Sequence, residues 1–200
     1  MLAALAISGC AAPHGSEPPQ RLATEAPALP PAKSFAAAQP QAPARANAEI
    51  ARDFLDLAFR LESGSDIAVF TRFEEPVTLR LTGARVPGLD ADLERLTARL
   101  RAEAGIDIRR VPSAADARIT VQAVPGDRIR GVLPQAACFV VPNVSSLAEY
   151  ARQRRSARSS WSELTRREQV AIFLPSDVSP QEARDCLHEE LAQALGPLND

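Results

Sequence analysis

A chain of 200 residues has room for one domain of ordinary size, less whatever its unstructured segments remove. Its formal net charge of -2, from 23 basic and 25 acidic side chains, argues against a general nucleic-acid binder and against an acidic tail. The hydrophobic content of 46% suits a globular domain, although alanine inflates it and aromatic residues make up only 4%.

Residues 1–10 are apolar and end in small residues before a cysteine. Ile7-Ser8-Gly9-Cys10 resembles the lipobox of bacterial lipoproteins, in which the cysteine thiol is diacylated and becomes the new N-terminus. No lysine or arginine precedes the apolar stretch, which departs from the usual signal, and the bland alternative is an apolar start with a chance cysteine. No other stretch is long and apolar enough to span a bilayer. Residues 11–46 hold eight of the 17 prolines among Ala, Gln, Glu and Ser, and His14 lies within them. Such a segment cannot bury enough apolar surface to offset its ordering entropy, so a disordered tether is expected. The expected protein is lipid-anchored at Cys10 in the cell envelope and faces the periplasm. Ala11, in place of an aspartate, leans towards the outer membrane.

The fold is expected over residues 47–200. Asn47 can cap a helix whose apolar positions Ile50, Phe54, Leu57 and Leu61 follow helical spacing, with Gly64 beyond its end. Two extended candidates follow, Ile67 to Phe73 and the alternating run Val77 to Thr82. Asp90 can cap a second helix carrying Leu93, Leu96 and Leu100, stopped at Gly105. Ile106 to Val111 and Arg118 to Val124 read as strands around a Pro-Ser-Ala-Ala-Asp turn, and Cys138 to Val141 and Val170 to Leu174 read as two more. Ser179 and Glu182 form a capping-box pattern with Pro180 at the first helical position, and Gly196-Pro197 closes this last helix. The expected class is α+β, a mixed sheet with packing helices; strand order does not follow from the pattern.

With Cys10 assigned to lipid, Cys138 and Cys186 remain, and an exported protein favours a disulfide between them over two buried thiols. His188-Glu189 on a helix suggests a zincin, but the second ligand position of His-Glu-x-x-His is Ala192. Shifted by one residue, Glu189-Glu190-x-x-Gln193-x-x-Gly196-x-x-Asn199 keeps the metzincin spacing with all three histidines replaced. In that register Glu190 would be the general base and Glu189, Gln193 and Asn199 the metal-holding set, with His188 the ligand of the alternative register. Glu190 falls between Leu187 and Ala194 on the inward side, where a carboxylate is costly unless paired. The bland reading is a structural carboxylate bonded to backbone or an arginine. Hard oxygens and neutral amides suit zinc poorly, so no resident cofactor is expected, a divalent metal being the one group the set could hold. Arg152, Arg154, Arg155, Arg158, Arg166 and Arg167 could bind an anionic surface, although such a run is more often a solvated loop. Trp161 among them reads as a packing anchor.

The run Cys186-Leu-His-Glu-Glu-Leu-Ala-Gln-Ala-Leu-Gly-Pro-Leu-Asn-Asp200 resembles the signature of the alphaproteobacterial domain-of-unknown-function family 2927. Thr71-Arg72-Phe73-Glu74-Glu75-Pro76-Val77 and Ala137-Cys138-Phe139-Val140-Val141-Pro142 are similar to it too. The resemblance implies a lipoprotein and a zincin-like relationship, not a reaction. It also implies that such domains continue past Asn199-Asp200, so a C-terminally truncated fold is expected. Three readings follow. The first is a protease-like but non-catalytic envelope domain that binds a protein or cell-wall partner. The second is a metal-dependent hydrolase using Glu190. The third is a structural envelope protein docking through the arginine loop. Nucleic acid is not an expected partner outside the cytoplasm.

Overall fold

The structure, a computed structural model, describes residues 44–199. Residues 1–43, with Cys10 and nearly all of the proposed tether, lie outside the described residues. The fold is α+β: a five-stranded mixed sheet in the order β2-β1-β3-β5-β4, with helices against both faces. Its strands are β1 (Val77–Gly83), β2 (Ile108–Arg110), β3 (Ile119–Val124), β4 (Phe139–Pro142) and β5 (Val170–Pro175). All neighbouring pairs run parallel except β4, which lies antiparallel on β5 at one edge.

The burial pattern explains the strands. Every residue of β5 is buried, so its unbroken apolar run is that of a strand covered on both faces. Val170, Ile172 and Leu174 join β1 and β3 in the larger core under helices α2 (Leu89–Ala104) and α5 (Pro180–Leu195), where Leu93, Leu187 and Leu191 are buried. Ala171 and Phe173 face the other way, into a smaller core with Ile129 of α3 (Gly126–Val132) and Leu147 of α4 (Leu147–Gln153).

The helix α5 has the expected ends: the Ser179 hydroxyl accepts from the Glu182 amide, the Glu182 carboxylate accepts from the Ser179 amide, and Pro180 occupies the first turn. Cys138 and Cys186 form the expected disulfide, with Cα atoms 6.0 Å apart, tying the approach to β4 onto α5.

Several expectations are corrected. Ile67 to Phe73 forms no strand; just before it Arg60 and Asp66 make an isolated bridge, which the Ile67 amide extends by one bond to the Phe59 carbonyl, and among the described residues no strand pairs with the rest. Helix α1 (Asn47–Phe59) begins after Ala46, so Asn47 is inside the helix and does not cap it. Its apolar positions Ile50, Phe54 and Leu57 are 44%, 53% and 38% exposed, so they do not enter the core. Asp90 is likewise inside its helix, since the left-handed turn at Gly88, φ 81°, caps α2 two residues earlier. Asp90 instead pairs with Arg110, whose guanidinium lies 2.7 Å away and holds its carboxyl below the usual carboxylate range.

The disulfide closes a span of 48 residues that includes β4, α4 and β5. The chain-entropy relation gives such a loop about 4 kcal/mol of stabilisation. Cys138→Ser/Cys186→Ser is therefore expected to lose about that much in urea unfolding, and reductant should lower the wild-type midpoint but leave the variant unchanged.

Candidate functional site

Four segments distant in sequence enclose a cleft of about 650 Å³. One wall is the chain entering and forming β4, from Gln135 to Val140; another is α5 through Glu189, Glu190 and Gln193. Leu61, Glu62 and Ser63 after α1, Leu133 after α3, Trp161 and Leu198 complete it.

The register of β4 determines which backbone groups stand along it. The Asn143 amide donates to the Gln169 carbonyl at 2.8 Å, one step beyond the Pro142–Val170 pair. Bonded pairs in an antiparallel ladder alternate, so Val141 and Phe139 also exchange bonds with β5. The N–H and C=O of Val140, and of Cys138 before it, therefore point away from β5 at the open edge of the sheet. The Trp161 indole N–H donates to the Val140 carbonyl from that side, at 3.2 Å.

On the opposite wall, the 3.6-residue period of α5 turns Glu190 inward with Leu187, Leu191 and Ala194. It is 4% exposed, as the sequence spacing required. Glu189 stands beside it, exposed, and the buried Gln193 donates its amide to the Glu62 carboxylate. Glu62 was not singled out by the sequence, because its place depends on the loop after α1 returning to α5 across more than a hundred residues.

The supposed metal-holding set is only partly assembled. Glu189 and Gln193 share the cleft wall, but Asn199 does not line it; its side-chain amide donates to the Asp56 carbonyl of α1 at 3.4 Å. His188 of the alternative register also lies elsewhere, near Arg184 and, on α2, Asp92 and Arg99. Burial is the main cause holding its imidazole below the ordinary range, with Arg184 adding to it. Among the described residues, no group of three or more His, Cys, Asp or Glu side chains converges to hold a metal.

Arg167 is the other correction. It is only 3% exposed and so cannot belong to a surface cluster with Arg152, Arg154, Arg155, Arg158 and Arg166, which are exposed. Its guanidinium donates to the last carbonyls of α5, Gln193 at 2.7 Å and Ala194 at 2.6 Å, and to Gly196 at 3.3 Å. It also reaches the Thr71 hydroxyl at 3.4 Å and lies over the Trp161 ring, 4.9 Å from its centre. A helix C-terminus offers unsatisfied carbonyls and partial negative charge, which a buried cation can use in place of a carboxylate. Burial lowers the Arg167 pKa to about 10, so the side chain stays charged at neutral pH. Trp161 is thus the packing anchor expected of it, clamped between Val140 and Arg167.

Residues 47–200 match a family model described as a protein of unknown function, DUF2927. No curated protein and no solved structure matches the chain.

Arg167→Met keeps much of the volume but leaves the α5 carbonyls without their buried donor. Its expected cost is about 3 kcal/mol in urea unfolding. The chain has a single tryptophan, so loss of the stacked guanidinium should also change the Trp161 emission in the folded protein. Arg167→Lys, which lacks the planar fork, should recover only part of either property.

Proposed function

The chain belongs to the DUF2927 family, whose description names no activity, and we propose from its cleft that it is a non-catalytic binding protein for an extended polypeptide segment. The carrying observation is the 650 Å³ cleft between the open edge of β4 and the Glu190 face of α5. A strand edge unpaired by a neighbouring strand can offer donors and acceptors to an added strand, while pockets beneath it discriminate between side chains. The cleft is mixed in character: Leu133, Ala136, Phe139 and Leu198 line it with apolar surface, and Glu62, which accepts from Gln193, joins Glu189 and Glu190 in an acidic wall. That combination favours a partner strand alternating apolar residues with lysine or arginine. In a lipoprotein anchored through Cys10 the partner would be another envelope protein, and the frame is read as zincin-like without the zinc chemistry.

A second reading, a metal-dependent hydrolase with Glu190 as general base, draws on the buried placement of that carboxylate on the cleft wall. Zinc hydrolysis needs a bound water made acidic by the metal, and the ligand set of Glu189 and Gln193 without Asn199 suits zinc poorly.

The readings separate experimentally. Panning the full-length protein against a random peptide library should enrich basic, apolar-alternating sequences, and their titration should change Trp161 fluorescence. Binding should slow amide exchange at Cys138 and Val140. Leu133→Asp and Glu190→Gln should each weaken it about tenfold, equivalent to about 1.4 kcal/mol. Enriched peptides indifferent to both substitutions, or no enrichment, would sink the binding reading. One equivalent of divalent metal in protein purified without chelators, lost in Glu189→Ala or Gln193→Ala, would put the hydrolase first.

A further inference from the structure

Helices α3 and α4 lie on either side of β4 in the chain and cover the same face of the sheet. Ile129 and Val132 of α3, and Leu147 and Tyr150 of α4, pack into one core with Val141 and Phe173. The two are also bonded directly: Arg154, just after α4, donates to the Val132 carbonyl at 3.1 Å. This packing gathers arginines that the sequence keeps apart. Arg128 and Arg130 of α3 join Arg152, Arg154, Arg155 and Arg158 of α4 and its C-terminal extension, and all six are exposed.

Among the described residues Arg52 and Arg109 also lack a carboxylate partner, but on the α3–α4 face six such arginines are gathered together. Arg45, Arg60, Arg95, Arg99, Arg110 and Arg166 each sit against a carboxylate. Among the described residues none of the six on the α3–α4 face has a carboxylate within salt-bridge distance. The acids of this region are engaged otherwise or exposed. Glu149 accepts from the Ser145 amide and hydroxyl and from Gln153, Asp177 accepts from the Gly126 amide, and Asp127 is open to solvent. A chain of formal net charge -2 therefore concentrates positive charge on one side.

We propose that the α3–α4 face docks on an anionic phospholipid surface, through Arg128, Arg130, Arg152, Arg154, Arg155 and Arg158. Guanidinium groups pair with phosphate oxygens through a planar fork and are weakly hydrated, which suits headgroup contact. Cations spread over α3, α4 and the segment after α4, from Arg128 to Arg158, suit an extended array of phosphates. A single small anion bonds only a few guanidinium groups at once, whereas a surface of phosphates can engage many. The inference is independent of the peptide-binding reading, since it uses a different face and none of the cleft residues. It would hold the domain against the bilayer to which Cys10 is read as anchoring it.

The test is co-sedimentation of the full-length protein with vesicles of phosphatidylcholine alone or of phosphatidylcholine mixed with phosphatidylglycerol. Any insertion of the apolar N-terminus is common to both vesicles, so the difference between them reports the arginines. Binding should be much stronger to the anionic vesicles and should fall as salt rises. Arg128→Gln/Arg130→Gln leaves the Arg154 bond to α3 intact and should weaken binding about twenty-five-fold, from about fivefold for each arginine. The sextuple glutamine variant should bind the two vesicles alike, with its circular dichroism checked against wild type. Arg52→Gln/Arg109→Gln, which removes exposed arginines elsewhere, should have little effect. Equal binding of wild type to both vesicles, or equal losses in the α3 and control variants, overturns the proposal. Complete release by millimolar inorganic phosphate at constant ionic strength also overturns it, by showing a discrete phosphate site in place of a surface.

Discussion

The cleft takes its shape from a buried cation, Arg167, that has no carboxylate partner among the described residues. Moving a guanidinium out of water costs several kcal/mol, and Arg167 recovers this from the carbonyl ends of α5 and the face of Trp161. The solution is geometrically demanding. Gln193, Ala194 and Gly196 must present their carbonyls together, so the last turn of α5 cannot unwind without stranding the charge. Trp161 must stay over the guanidinium, and it then reaches the Val140 carbonyl and the open edge of β4. The Cys138–Cys186 bridge is a second tie between the same two elements. Helix α5 and strand β4 are thus held by one covalent and one polar clamp, and the space between them is the cleft.

The legible parts of the fold were those whose signals are local. The capping box and Pro180 describe the start of α5 without reference to the rest of the chain, and the apolar run of β5 needs only its own burial. Helix α3 was invisible because Gly126 and Gly131 lower its intrinsic helicity; it forms because Ile129 is buried and Asp177 holds the Gly126 amide. Helix α4 did carry a readable signal, Ser146 with Glu149 three residues on, and the Ser146 hydroxyl does accept from the Glu149 amide. The segment from Ile67 to Phe73 shows the opposite error, since apolar composition without a partner strand makes no ladder.

The candidate site divides in the same way. Helical periodicity is enough to turn Glu190 inward. It says nothing of Glu62, which reaches Gln193 only through the tertiary fold. Nor can composition tell Arg167 from the exposed arginines before it. Residues of one type within fifteen positions include a buried structural cation and several solvated ones, and only the neighbours decide which is which. The same holds for charge. A nearly neutral chain carries carboxylates in its cleft and, on the α3–α4 face, arginines without a salt bridge among the described residues, so net charge alone hides both.

An open strand edge is an aggregation hazard unless something limits it. Here β4 is only four residues long, and it ends in Pro142, whose ring removes a donor. The Trp161 indole already occupies the Val140 carbonyl. These features discourage another copy of β4 from pairing along its whole length. They leave the stretch from Gln135 to Val140 beside the Glu190 wall, where an incoming strand must also fit the cleft. Shortening and partly capping the edge, while keeping a lined cavity against it, is the arrangement that admits a selected segment and resists indiscriminate ones.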